Sequence, residues 1–216
     1  MSVKKDNVWT GLDIKYGSAL VENAGCTLTT IEAPWARGLQ MLKTGEVDLM
    51  LNMSKNKLRE EYYHFIGPLR IERIRIVSIK KSLPLITSWE QLKNLDAILM
   101  LQRGSYFGKE FAHILDSNII LKTKLRELAD NDIGIKLLNT GRVDAWVVDE
   151  IYIENLPEEI QSLLDVHPLI INRDPIYYAF SKANFDEVRI KKLQEAYIKL
   201  SQSPEFIEFS KIYLNE

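Results

Sequence analysis

The sequence predicts an α/β protein built from two Rossmann-like lobes, each a mainly parallel sheet covered by helices. Three observations carry the prediction. Short apolar runs suited to buried strands alternate with segments of helical periodicity. Residues 38–48 (GLQMLKTGEVD) recur as residues 134–144 (GIKLLNTGRVD), a constant offset of 96 between Gly38 and Gly134 and between Asp48 and Asp144. The length of 216 residues is open to one large domain or two small lobes, and the internal repeat favours the second.

The elements follow in order. Helical patterns cover residues 12–24, 34–43, 88–94, 106–115, 129–139, 184–202 and 204–213, with Pro34 and Pro204 suited to a first helical turn. Buried strands are predicted at 47–51, 75–79, 97–101, 143–148 and 177–180, where apolar residues run together. Each copy of the repeat reads as a helix, a glycine stop and a strand. Gly45 and Gly141 supply the left-handed residue that ends a helix, after which Val-Asp opens the next strand.

Composition excludes several classes. Apolar residues make up 46% and charged residues 27%, ordinary for a folded water-soluble chain. With 28 basic and 30 acidic side chains the net charge is -2, so nothing favours nucleic acid or an anionic membrane as partner. Cys26 is the one cysteine, which excludes an internal disulfide and a multi-cysteine metal site, and it reads as a small buried apolar residue. No stretch approaches the roughly 18 apolar residues of a membrane span, and the first residues hold no secretory apolar run.

Ligands of open α/β sheets bind beyond the carboxyl ends of strands. After the first repeat strand come Asn52, Met53 and Ser54; after the second come Asp149 and Glu150. Arg59 follows five residues after Ser54, where its planar fork suits a carboxylate, although a surface helix arginine would look the same. Asp149 suits an ammonium, or else a helix N-cap. Trp35 opens a helix, from which it could line a cleft or fill a core. Gln102, Ser105 and Tyr106 lie in a loop between a strand and a helix start that could receive an anionic group. No phosphate-binding glycine loop, nucleophile elbow or histidine pair is found, and His64, His113 and His167 read as solvated or locally hydrogen-bonded.

Taken together, PWARGL from Pro34, GEVD from Gly45, Ser54 with Arg59 and Glu60, FIGP from Phe65, GSY from Gly104, Val143 with Asp144, and Asp149 with Glu150 resemble family 3 of the bacterial extracellular solute-binding proteins. The resemblance runs from about Trp9 through the C-terminal helix. It implies a type II periplasmic binding fold, with lobe 1 at 1–76 and 176–216, lobe 2 at 77–175, and hinge strands near 74–79 and 172–176 that close the lobes on a ligand. By the same resemblance Arg59 binds a ligand α-carboxylate, with Ser54 and the Asn52 backbone assisting, and Asp149 binds the α-amino group. Ser105, with Gln102 and Tyr106, contacts the carboxylate or side chain, and Trp35 walls the side-chain pocket.

The implied function is capture of an amino acid or similar small polar solute in the interlobe cleft for an ABC-type permease, in the periplasm or outside the cell. No catalysis, cofactor or metal is expected. A ligand-sensing domain of a signalling receptor is the alternative, and a cyclohexadienyl-type dehydratase a more distant one; the latter would need a general acid such as Glu32 or Glu150. The sequence departs from the family in starting almost at Val8, so lobe 1 is expected to be short of its first strand, with either a homodimer formed through the incomplete lobe or weakened ligand binding as the consequence.

Overall fold

The computed structural model describes residues 2–5 and 8–214, with side chains from Trp9 onward. In chain order the elements are β1 (Ser2–Lys5), β2 (Val8–Gly11), α1 (Leu12–Asn23), α2 (Trp35–Thr44), β3 (Leu49–Ser54), α3 (Lys57–Glu60) and β4 (Tyr63–Ile79). There follow α4 (Trp89–Lys93), β5 (Leu99–Gln102), α5 (Lys109–Ser117), α6 (Ile119–Thr123), β6 (Leu125–Leu128), α7 (Gly134–Asn139) and β7 (Ala145–Asp149). The chain ends with α8 (Glu150–Glu154), α9 (Glu158–Gln161), β8 (Leu164–Ser181), α10 (Glu187–Ser201) and α11 (Pro204–Tyr213).

The chain divides into two compact units. The first comprises Met1–Ala33, Arg37–Ile71 and Pro175–Glu216, and the second Pro34–Ala36 and Glu72–Asp174. The strands β4 and β8 belong to both, since each runs across a unit boundary. A six-stranded sheet has the order β3-β8-β4-β7-β5-β6, and β1 pairs with β2 in a separate antiparallel hairpin. The sheet is less parallel than the alternation of strands and helices predicts. β5 pairs in parallel with β6 and with β7, while β3 runs against β8 and β4 against β7. The antiparallel pairs each involve a strand that carries the chain from one unit to the other.

In the second unit both faces of the sheet are buried, which is why its strands read as continuous apolar runs. Side chains alternate between the faces. Ile74, Ile76, Leu99, Leu101, Ala145 and Val147 pack on one side with Phe111 and Ile114 of α5, and Val77, Met100, Trp146 and Val148 pack on the other with Leu138 of α7. In the first unit Tyr16 and Leu20 of α1 meet Tyr178 and Phe180 of β8, Ile190 and Leu193 of α10, and Phe206 and Phe209 of α11. Each such fully buried side chain contributes about 1.5–3 kcal/mol of transfer free energy.

The repeat predicted from the sequence is built twice with the same hydrogen bonds. After α2, the Gly45 N–H donates to Leu42 O and the Glu46 N–H to Met41 O. After α7, the Gly141 N–H donates to Leu138 O and the Arg142 N–H to Leu137 O. This is the helix stop that needs a left-handed residue, and φ is +80° at Gly45 and +63° at Gly141. The hydroxyls of Thr44 and Thr140 also bond back to matching carbonyls, Gln40 and Lys136. Cys26 departs from expectation. It is exposed, because Gly25 (φ +81°) ends α1 just before it and turns the chain outward.

Candidate functional site

The candidate residues of the first unit gather at the carboxyl end of β3. Met50 pairs with Ala179 of β8 and Met53 with Tyr177, so Leu51 and Asn52 together oppose Tyr178. This is a β-bulge, one residue more on β3 than on β8. It is seated on Asn52, which has φ +59°. Beyond it Ser54 is buried opposite Ile176, and the chain turns into α3, whose N-cap Asn56 accepts the Arg59 N–H at 2.9 Å.

That short helix points Arg59 back into the protein. Its side chain is buried, at 7% exposure, and Nη1 donates to Ser54 O at 2.7 Å. A surface helix arginine would be mostly solvated, so the plain alternative raised by the sequence does not hold for Arg59. Burial pushes the nearby Tyr63 phenol above its ordinary value, against the opposing pull of the Arg59 charge.

In the second unit the candidates lie at the carboxyl ends of neighbouring parallel strands. Leu101 of β5 pairs with Val147 of β7, which brings Gln102 to the same edge of the sheet as Asp149. The loop after β5 turns at Gly104 (φ +80°), and the Ser105 hydroxyl donates to Gln102 Oε1 at 3.0 Å. Ser105 and Tyr106 are half-buried. Asp149 is the N-cap of α8, its Oδ1 accepting the Ile151 N–H at 3.4 Å. The N-cap that the sequence allowed at Asp149 is therefore formed. Trp35, the first residue of α2, is half-buried, and its indole Nε1 is closed off from solvent without a hydrogen-bond partner.

Sequence reasoning missed several charged groups beside these positions. Asp13, in the first turn of α1, is buried at 3% exposure and accepts from Asn52 Nδ2 at 2.6 Å. Arg70 and Glu72 are buried on β4, and Arg73 and Arg75 on its other face both reach Glu150, at 2.7 Å and 3.8 Å. The run RIERIR from Arg70 was the available signal: charges at alternate positions of a strand inside an apolar protein are expensive unless paired. Glu150 is therefore engaged as an ion-pair partner, and Glu32 is exposed. Among the described residues there is no group of three or more potential metal ligands, and no helix is long and apolar enough to cross a membrane.

The family model for bacterial extracellular solute-binding proteins, family 3, matches residues 1–216. The chain belongs to this family. No curated protein matches the sequence. Among solved structures, this family 3 protein is similar to an ancestral arginine-binding protein bound to glutamine, with 20% identity, a TM-score of 0.79, and coverage of 100% of this chain and 92% of the other. A histidine kinase sensor domain with similarity to periplasmic binding proteins gives 19% identity and a TM-score of 0.79, covering 99% and 90%. An ancestral amino-acid-binding protein described as a precursor of cyclohexadienyl dehydratase gives 20% and 0.76, covering 99% and 89%. At these identities the likeness establishes the fold, which is that of type II periplasmic binding proteins.

Proposed function

We propose that this family 3 protein captures an amino acid or a close analogue outside the cytoplasm and delivers it to the permease of an ABC importer. Arg59 takes the ligand α-carboxylate, with Ser54 and the Asn52 backbone beside it, and Asp149 takes the α-ammonium. Gln102, Ser105, Tyr106 and Trp35 contact the rest of the ligand. The observation that carries this reading is the buried Arg59, held against Ser54 O at the carboxyl end of β3. The planar fork of a guanidinium fits a carboxylate bidentately. The relatives of this fold bound to glutamine and arginine support an amino-acid ligand.

Capture rather than catalysis is favoured by the state of the two carboxylates a dehydratase would call on. Glu150 is tied to Arg73 and Arg75, and Glu32 is exposed. A sensory role is the second reading, supported by the similarity to a kinase sensor domain. The test of capture is a thermal-shift screen against the common amino acids and small organic acids, repeated on Arg59→Ala. A ligand that binds only the native state must raise the melting temperature. A rise with an amino acid that disappears in Arg59→Ala is expected; an undiminished rise in the variant would remove Arg59 from the site. Uptake of the bound amino acid into cells supplied with this protein and an ABC permease is expected for transport, and its absence despite binding favours sensing.

A further inference from the structure

We propose that Asp13 is a positioning residue for the carboxylate site, holding Asn52 in the left-handed conformation that seats the β3 bulge and thereby setting where Ser54 and Arg59 stand. The inference rests on the reading of Arg59 and Ser54 given above.

Only Asn52 and Lys81 have positive φ among the described non-glycine residues. Asparagine visits this region because its short amide can bond nearby groups that compensate for the crowding of its Cβ. Here the compensating partner comes from a distant element. Asn52 Nδ2 donates to Asp13 Oδ2 across 39 residues of sequence, at 2.6 Å, the short range of a charge-assisted bond. A carboxylate buried to 3% exposure is costly in an apolar core, so packing alone does not account for an aspartate there.

The surroundings place Asp13 against the bulge. Tyr178, the residue opposite Leu51 and Asn52, has its phenol pushed far up, first by burial and then by the negative charge of Asp13. Gly17, one helical turn after Asp13, lets α1 approach β3 closely: a Cβ at Gly17 would lie 3.1 Å from Leu51 Cδ2. Downstream, regular pairing resumes at Met53 and Ser54, and Ser54 O receives Arg59 Nη1. The chain of contact therefore runs from Asp13 to Asn52, through the bulge to Ser54, and on to Arg59.

The test is a cycle of variants: Asp13→Ala, Asp13→Asn, Asn52→Gly and the double variant Asp13→Ala/Asn52→Gly. Glycine adopts positive φ without help, so it makes the bulge independent of Asp13. Affinity is read by calorimetry with L-arginine and L-glutamine as probes, and the backbone by amide hydrogen exchange at residues 50–54. Asp13→Ala should weaken binding by roughly tenfold and speed exchange at the bulge, Asp13→Asn should recover most of the affinity because it keeps an acceptor oxygen, and Asn52→Gly should keep exchange at residues 50–54 close to that of the parent. In the Asn52→Gly background, loss of Asp13 should then cost little further affinity.

An equal loss of affinity in both backgrounds, or a fall in melting temperature with affinity and exchange unchanged, overturns the proposal. If the parent protein binds neither probe, capture of these amino acids falls, and hydrogen exchange in the same variants still decides the role of Asp13.

Discussion

Replacing Gly45 and Gly141 by alanine should cost the protein unequal amounts, although the two glycines end their helices with the same pair of hydrogen bonds. Both hold positive φ, +80° and +63°, where a Cβ costs about 1–2 kcal/mol. At Gly141 nothing lies within 4 Å of the added Cβ, so this strain is the whole effect. At Gly45 the Cβ would fall 2.4 Å from Asn184 Oδ1 and 3.1 Å from Ala183 Cβ. Asn184 cannot step aside cheaply, because its Nδ2 donates to Gly45 O at 2.8 Å and to Asp48 Oδ1 at 2.7 Å. Losing those two bonds adds about 0.5–1.5 kcal/mol each. Gly141→Ala should thus destabilise by about 1–2 kcal/mol and Gly45→Ala by about 2–5 kcal/mol. For a chain of this length that corresponds to melting shifts of about 2–4 °C per kcal/mol. Denaturant unfolding of the three proteins side by side measures the difference, and equal losses, or a larger one at Gly141, would refute the reasoning.

Four further outcomes are expected. Arg59→Ala should weaken amino-acid binding by at least about thirtyfold, since it removes one side of a buried charge pair with the ligand; calorimetry measures it. Gly134→Ala should destabilise by about 1–3 kcal/mol, because its Cβ would lie 2.9 Å from the ring of the fully buried Trp146, and a neutral result in urea would contradict this packing. His167 should make stability fall in acid. Its buried ring accepts the Ile86 N–H at Nδ1, so the neutral form carries its proton on Nε2 and donates to Ser78 Oγ. Burial first, then the charge of Arg75, hold its pKa below 6.5 against the upward pull of Asp165. The unfolded chain therefore takes up a proton at a higher pH than the folded one, and stability is lost as pH drops below about 6.5; unfolding midpoints for the parent and His167→Gln between pH 5 and 7.5 should diverge in slope. The Asp13 and Asn52 variants should follow the cycle described above, read by affinity and hydrogen exchange together.

Much of this was legible in the sequence where a local rule applied. The glycine stops at 45 and 141, the helix opened by Pro204 and the buried strand β7 all follow from patterns a few residues long. From its residue pattern the long strand β8 is legible only at 177–180, with 172–176 added by the family resemblance alone, because Pro168, Pro175 and the charged Arg173 and Asp174 interrupt it in a way that argues against a strand. Short elements such as α6, α8 and α9, of four or five residues, carry too little periodicity to be seen. Among the candidate residues, Arg59 and Asp149 could be singled out from the sequence because they sit at fixed distances from a strand end. Asp13 could not, since its partner lies 39 residues away and no spacing rule links a helix's first turn to a bulge in another strand.

The bulge on β3 also bears on how copies of the protein avoid one another. β3 ends the six-strand order, so one of its edges has no strand beside it among the described residues. Such an edge invites a foreign strand, and regular, flat edges are the ones that seed aggregates. The extra residue at Leu51 and Asn52 interrupts the even spacing of donors and acceptors that an incoming strand would have to match. The kink beside Ser54 and Arg59 is therefore also a guard against sticking, and it works against a homodimer paired along β3. Removing one residue there to regularise the strand would be expected to damage binding and solubility together.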